Sequence, residues 1–125
     1  MRFKKKWLRH FAKGVSQQQL EQHVLGDADF VWHVFSWNLI CRDAYFAGDA
    51  ARTAFDRADK HGAMYYAPFL PRKPIVRRLP PDTTASGLDA LEECYVIAPD
   101  WSWTYIKTHE GDACGPYFYE PGANA

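Results

Sequence analysis

The stretch CYVIAPDWSWTYIKTH, residues 94–109, limits the fold more than any other part of the chain. Two runs rich in β-branched and aromatic residues flank a Pro-Asp turn, the pattern of a β-hairpin. Period-two alternation puts Trp103, Tyr105, Lys107 and His109 on one face of the second strand. Thr104, Ile106, Thr108 and Glu110 fall on the other. MYYAPF (64–69) and PIVRRL (74–79) are further strand candidates, with Pro68, Pro71 and Pro74 marking an edge or an irregular connection between them.

Helical patterns lie on either side of these strands. Phe3, Trp7, Leu8, Phe11 and Val15 recur at helical spacing while Lys4, Lys5, Lys6, Arg9 and Lys13 fill the remaining surface, so the N-terminus is expected to be a basic amphipathic helix that docks its aromatic stripe and ends at Gly14. Ser16 followed by Gln19 is a capping box and predicts a second helix over 17–25. GDAARTAFDRADKHG (48–62) predicts a central helix with Asp49 as N-cap and Ala51, Ala54, Phe55 and Ala58 facing inward. FVWHVFSW (30–37) carries apolar residues at alternate and intervening positions and is expected to be a central strand covered on both faces. Residues 80–91 are expected to connect, with one helical turn at their end, and GPYFY (115–119) to cross back over the sheet as an extended segment.

These elements add up to an α+β fold: an antiparallel sheet of about four or five strands packed with N-terminal helices and one central helix. The length of 125 residues suits a single domain over 1–125, with a helical segment at 1–26, an α+β core at 30–118 and a tail at 119–125. Twenty aromatic residues imply a core built on large rings. No segment approaches the ~20 apolar residues of a membrane span, and the basic N-terminus lacks an apolar run behind it, so no membrane partner is expected. Cys41, Cys94 and Cys114 have no metal-type spacing and are odd in number; they predict reduced thiols and a cytoplasmic protein.

The formal charge is zero but unevenly placed along the chain. Residues 1–81 carry fourteen Lys and Arg against seven acids, a net +7; residues 82–125 carry one Lys against eight acids, a net −7. An acid-rich last third suits a basic partner and disfavours nucleic acid.

WHVFSW (32–37), the Ala54–Phe55 pair, YVIAPDWSWTYIKTHE (95–110) and GPYF (115–118) together resemble a family of small, uncharacterised bacterial proteins in which Trp-His-x-Phe-Ser, an Ala-Phe helix, Trp-Thr-Tyr-x-x-Thr-His-Glu and Gly-Pro-Tyr-Phe recur in this order. The resemblance spans residues 30–118. It implies a shared fold and, the family's function being unknown, no mechanism. The basic FKKKWLRHF helix and the loop PFLPRKPIVRRLPP depart from that pattern.

Two sets of residues are candidates for function. His33, His109 and Glu110 offer two imidazoles and a carboxylate, enough for acid–base hydrolysis or a catalytic metal if the fold gathers them. Their spacing lacks the i, i+4 pairing of a helical metal motif, so no metal or other cofactor is expected, and His109 is expected instead to lock a neighbouring strand through a ring nitrogen. Ser36 lacks a nucleophile elbow, and no Gly-rich phosphate loop follows a strand. The second set is a partner surface of Asp100, Trp101, Asp112, Tyr117, Tyr119 and Glu120. A compact, acid-rich and aromatic-rich chain without a catalytic constellation points to a non-catalytic binding protein, an immunity or inhibitor protein that neutralises a basic toxin, nuclease or other enzyme. A His-dependent or metal-assisted hydrolase is the competing expectation.

Overall fold

The computed structural model of the chain describes residues 2–23, 32–36, 39–67, 76–110 and 115–121. It divides into two compact units, residues 1–44 and 45–125. The fold is α+β, with five α-helices and a six-stranded antiparallel sheet among the described residues. That is one strand more than the upper expectation.

In the first unit, α1 (Arg2–Phe11) buries Phe3, Trp7, Leu8 and Phe11, the stripe its spacing predicts. The indole of Trp7 meets Phe11 at 5.2 Å and the edge of Phe35 at 6.0 Å and 90°, so the basic helix docks through its aromatic face. Helix α1 stops three residues before Gly14. Helix α2 (Gln17–His23) begins where the capping box places it. The Ser16 hydroxyl accepts from the Gln19 amide at 3.2 Å, and the Gln19 side chain bonds that hydroxyl rather than the Ser16 amide. The predicted end of this helix, at 24–25, lies outside the described residues.

The strand expected over 30–37 is not formed by its described part. His33–Ser36 is a single helical turn, α3, in which the amides of Phe35 and Ser36 both return to the Trp32 carbonyl. With apolar residues at 32, 34 and 35, the segment satisfies a helical period as well as an alternating one, and burial of Trp32, Val34 and Phe35 follows from the turn. A 3₁₀ turn at Arg42–Ala44 closes the unit.

The second unit is the sheet and two helices. Strand β1 (Tyr45–Ala47) leads into α4 (Asp49–Arg57); β2 (Met64–Tyr66) and β3 (Val76–Arg78) form the pair expected from MYYAPF and PIVRRL; α5 (Ala85–Leu88) is the one turn expected near 91. Then come β4 (Cys94–Ile97), β5 (Thr104–Lys107) and β6 (Tyr117–Tyr119). The order across the sheet is β1-β6-β5-β4-β2-β3. The hairpin has Cys94 opposite Lys107 and Ile97 opposite Thr104. GPYFY does not cross over the sheet: its last three residues are β6, inserted between β5 and β1, with Phe118 opposite both Tyr105 and Phe46.

Alternation puts Phe46, Phe118, Tyr105, Val96 and Tyr65 on one face, and α4 packs on it while leaving Phe46 about half exposed. Phe55 stacks on Tyr105 at 4.3 Å and 21° and meets Trp103 edge-on at 6.1 Å. Ala51 is fully buried beside Phe55, the small side chain that lets the helix approach the strands closely. Asp49 is the first helical residue rather than the N-cap; Gly48 occupies that position, at φ 64°, and donates its own amide to Pro116 in the approach to β6. The other helix end has a device that periodicity does not show. Lys60 is buried, and its ammonium donates to the carbonyls of Phe55, Asp56 and Ala58 at 2.6, 3.2 and 3.1 Å while lying 4.7 Å from the centre of the Phe55 ring. It satisfies the orphan carbonyls of the last turn. Burial lowers its pKa.

Candidate functional site

The two ends of the β4–β5 hairpin carry the chemistry of the second unit. At the open end, Glu93 precedes β4 and its carboxylate is wholly buried. Such a group needs donors on both oxygens. The Tyr95 hydroxyl donates to Oε2 at 2.7 Å, and His109 Nδ1 lies 2.8 Å from Oε1, with the His109 amide at 3.4 Å. Tyr66 stacks on Tyr95 at 6.0 Å, and both phenols have raised pKa values, chiefly from burial and then from the nearby Glu93 charge. Lys107 holds the same end by donating to the carbonyls of Leu91 and Glu92 at 2.5 and 3.2 Å.

His109 therefore does what a locking residue does: its ring ties the turn after β5 to the residue that precedes β4. Glu110 approaches its other ring nitrogen at 3.5 Å, because the strand ends at Lys107 and the pair sits in a turn rather than on opposite faces of a strand. His33 belongs to the first unit, where its Nδ1 is 2.9 Å from the Ser36 hydroxyl and its ring is tilted over Trp32 at 4.3 Å. Among the described residues no three His, Cys, Asp or Glu side chains are placed to hold a metal ion. Cys94 is buried and its thiol is pushed up to about 12 by desolvation, an inert thiol rather than a nucleophile; Cys41 is exposed.

At the loop end of the hairpin lies a groove of about 700 Å³, lined by four parts of the second unit. Phe46 comes from β1, Arg57, Asp59 and His61 from the end of α4 and the turn after it, and Asp100, Ser102 and Trp103 from the hairpin loop, with Phe118 and Glu120 from β6 and its end. The loop is set by its own hydrogen bonds. Ala98 pairs with Trp103, the Trp101 amide closes the turn on Ala98, and Asp100 accepts from the Ser102 amide at 3.1 Å. The Ser102 hydroxyl, and after it that amide bond, lower the Asp100 pKa. Trp101 takes φ 61°, an uncommon conformation for an aromatic residue. On the opposite wall, Gly62 at φ 80° turns the chain towards β2, and Asp59 pairs with His61 at 2.8 Å.

Phe46 is the exposed member of this floor, at 53%, while Trp103 and Phe118 are buried and stacked at 5.4 Å. Of the six residues expected to form a partner surface, Asp100 and Glu120 line the groove, and Trp101 stands half-buried in the same loop. Tyr117 and Tyr119 point to the other sheet face, Tyr117 buried with its ring against Tyr45 and Tyr119 half-buried. Asp112 lies outside the described residues. Glu93, Tyr95 and Phe46 were not among the sequence candidates. Glu93 and Tyr95 share a strand face two residues apart, a signal that alternation offers; the convergence of Phe46 on residues 100 and 120 has no local signal.

The chain belongs to the family described as a domain of unknown function (DUF4275), whose model matches residues 1–118. No curated protein and no solved structure shows significant similarity to it.

Proposed function

We propose that this protein is a binding protein without catalytic activity, of the immunity or inhibitor kind, that neutralises a basic toxin or enzyme partner through the groove at the hairpin loop. The observation that carries this reading is that Asp100 and Glu120, twenty residues apart, line one groove around the exposed ring of Phe46. Exposed apolar side chains rimmed by polar residues mark interaction sites. The acids of the rim suit a basic partner by complementarity.

The test is affinity capture with the tagged chain and, in parallel, with Phe46→Ala/Glu120→Lys. One stoichiometric, basic partner held by the first and lost by the second supports the reading. Equal retention of that partner by both removes the groove from the interface. A hydrolase built on His109 competes because Glu93 and Glu110 flank its ring on both sides. Hydrolytic activity abolished by His109→Ala in a folded protein would replace the binding reading.

A further inference from the structure

Resting on that binding reading, we propose that the groove is shaped to seat one arginine side chain of the partner as its anchor. Phe46 and Phe118 are register partners on adjacent strands, so their side chains leave the sheet on the same side, and Trp103 continues the aromatic floor by stacking on Phe118. The ring of Phe46 is about half uncovered and makes no ring contact among the described residues. Above this floor stand three carboxylates, Asp59, Asp100 and Glu120, against the single guanidinium of Arg57, a formal charge of −2 with His61 neutral. Protonating His61 leaves the rim negative still.

The carboxylates are not equally available. Asp59 is engaged by the His61 amide and ring. Asp100 is likewise oriented by Ser102, through its amide on Oδ1 and through its hydroxyl, and Glu120 makes no hydrogen bond or ion pair among the described residues. Glu120 is thus the free acceptor, and Asp59 and Asp100 are locally oriented ones, beside the half-exposed ring of Phe46.

An apolar side chain entering here would strip water from these carboxylates without replacing its hydrogen bonds. A carboxylate or phosphate would meet the wrong sign. A lysine ammonium matches the charge but is strongly hydrated and cannot lie flat on a ring. A guanidinium satisfies every feature together: its plane stacks on the aromatic floor, its weak hydration lowers the cost of entry, and its five donors reach acceptors on two sides. The groove volume accommodates such a side chain with its flanking backbone.

The experiment is an NMR titration of the ¹⁵N-labelled full chain with three capped tripeptides, Gly-Arg-Gly, Gly-Lys-Gly and Gly-Glu-Gly, on the wild type, Phe46→Ala and Asp100→Asn/Glu120→Gln. Asn at 100 keeps an acceptor for the Ser102 amide, and all three altered residues are exposed, so the variants retain the fold; thermal melts verify this. The expected result is saturable shifts centred on Phe46, Asp100, Trp103 and Glu120 with the arginine peptide. That binding is expected to weaken about tenfold in the double variant and about threefold or more in Phe46→Ala, and the lysine peptide to bind more weakly than arginine. Equal binding of the lysine and arginine peptides, shifts produced by the glutamate peptide at Arg57 and His61, or no localised shifts would each overturn the assignment. If the tripeptides fail to bind but affinity capture still loses its partner in the groove variant, the arginine anchor falls and the binding reading stands. If the arginine peptide binds and no partner interaction depends on the groove, the general reading falls instead.

Discussion

The β4–β5 hairpin has a carboxylate–aromatic cluster at each end, and the two ends differ in what their carboxylates touch. At the open end Glu93 is wholly buried and both its oxygens are occupied by Tyr95 and His109. At the loop end Asp100 and Glu120 are exposed beside a ring that is itself half uncovered. Similar residue types thus form a closed network in one place and an open surface in the other. Residue identity alone did not separate them, since His109 and Asp100 both stood among the candidate functional residues in the sequence, Asp100 in the leading reading and His109 in the competing one. The difference is burial and partner count: a carboxylate whose acceptors are already used stabilises the fold, and one whose acceptors face water is available to something else.

The sharpest way to break this comparison is at Glu93. Glu93→Ala strands the Tyr95 hydroxyl and the His109 ring, and should destabilise the protein by about 3 kcal/mol in urea denaturation followed by Trp fluorescence. A loss of well under 1 kcal/mol would make the two ends energetically alike. His109→Ala should cost less, about 2 kcal/mol, because Tyr95 still serves the carboxylate and His109 is one-quarter exposed. Its partner affinity should not change.

A third prediction uses pH. Burial raises the phenol pKa of Tyr95 and of Tyr105 above the ordinary value of 10.0. Above pH 10 the unfolded chain releases these protons while the folded chain keeps them, so stability is fully present below that pH and falls as pH rises through the folded values. Alkaline melts should show that fall. The Tyr105 hydroxyl is buried with no hydrogen-bond partner among the described residues, so Tyr105→Phe should shift neutral-pH stability by no more than about 0.5 kcal/mol in either direction and make the alkaline fall shallower. A large loss in Tyr105→Phe would mean that the hydroxyl is held. The smallest effect on stability belongs to the groove: Asp100→Asn/Glu120→Gln should leave the melting curve nearly unchanged, as exposed substitutions usually do.

Much of the fold could be read ahead of the coordinates wherever the signal was local. The stripe Phe3–Trp7–Phe11, the capping residue Ser16 and the alternation on both sides of Pro99–Asp100 each lie within one element, and each appears in the structure. Reading failed where two periods fit the same few residues, as at Trp32–Ser36, or where pairing joins distant segments. Strand β1 is three residues long and takes its identity from β6, far along the chain, with Tyr45 opposite Tyr119. The same distance hid the site. Asp100 and Glu120 were visible as acids, but Phe46 joins them only because β1 lies beside β6, and Glu93 gains its role only from the register that sets it next to His109. Buried Lys60 was hidden for the related reason that its acceptors are backbone carbonyls.

Titration calorimetry with the captured partner, comparing the wild type, Asp100→Asn/Glu120→Gln and His109→Ala, tests the division between the two ends most directly. The account predicts that the double variant loses about tenfold or more in affinity while remaining as stable as the wild type, and that His109→Ala binds normally although it melts earlier. Normal binding by the double variant, with loss of binding in His109→Ala under conditions where that variant is folded, would contradict it and move the functional surface to the Glu93–His109 end of the hairpin.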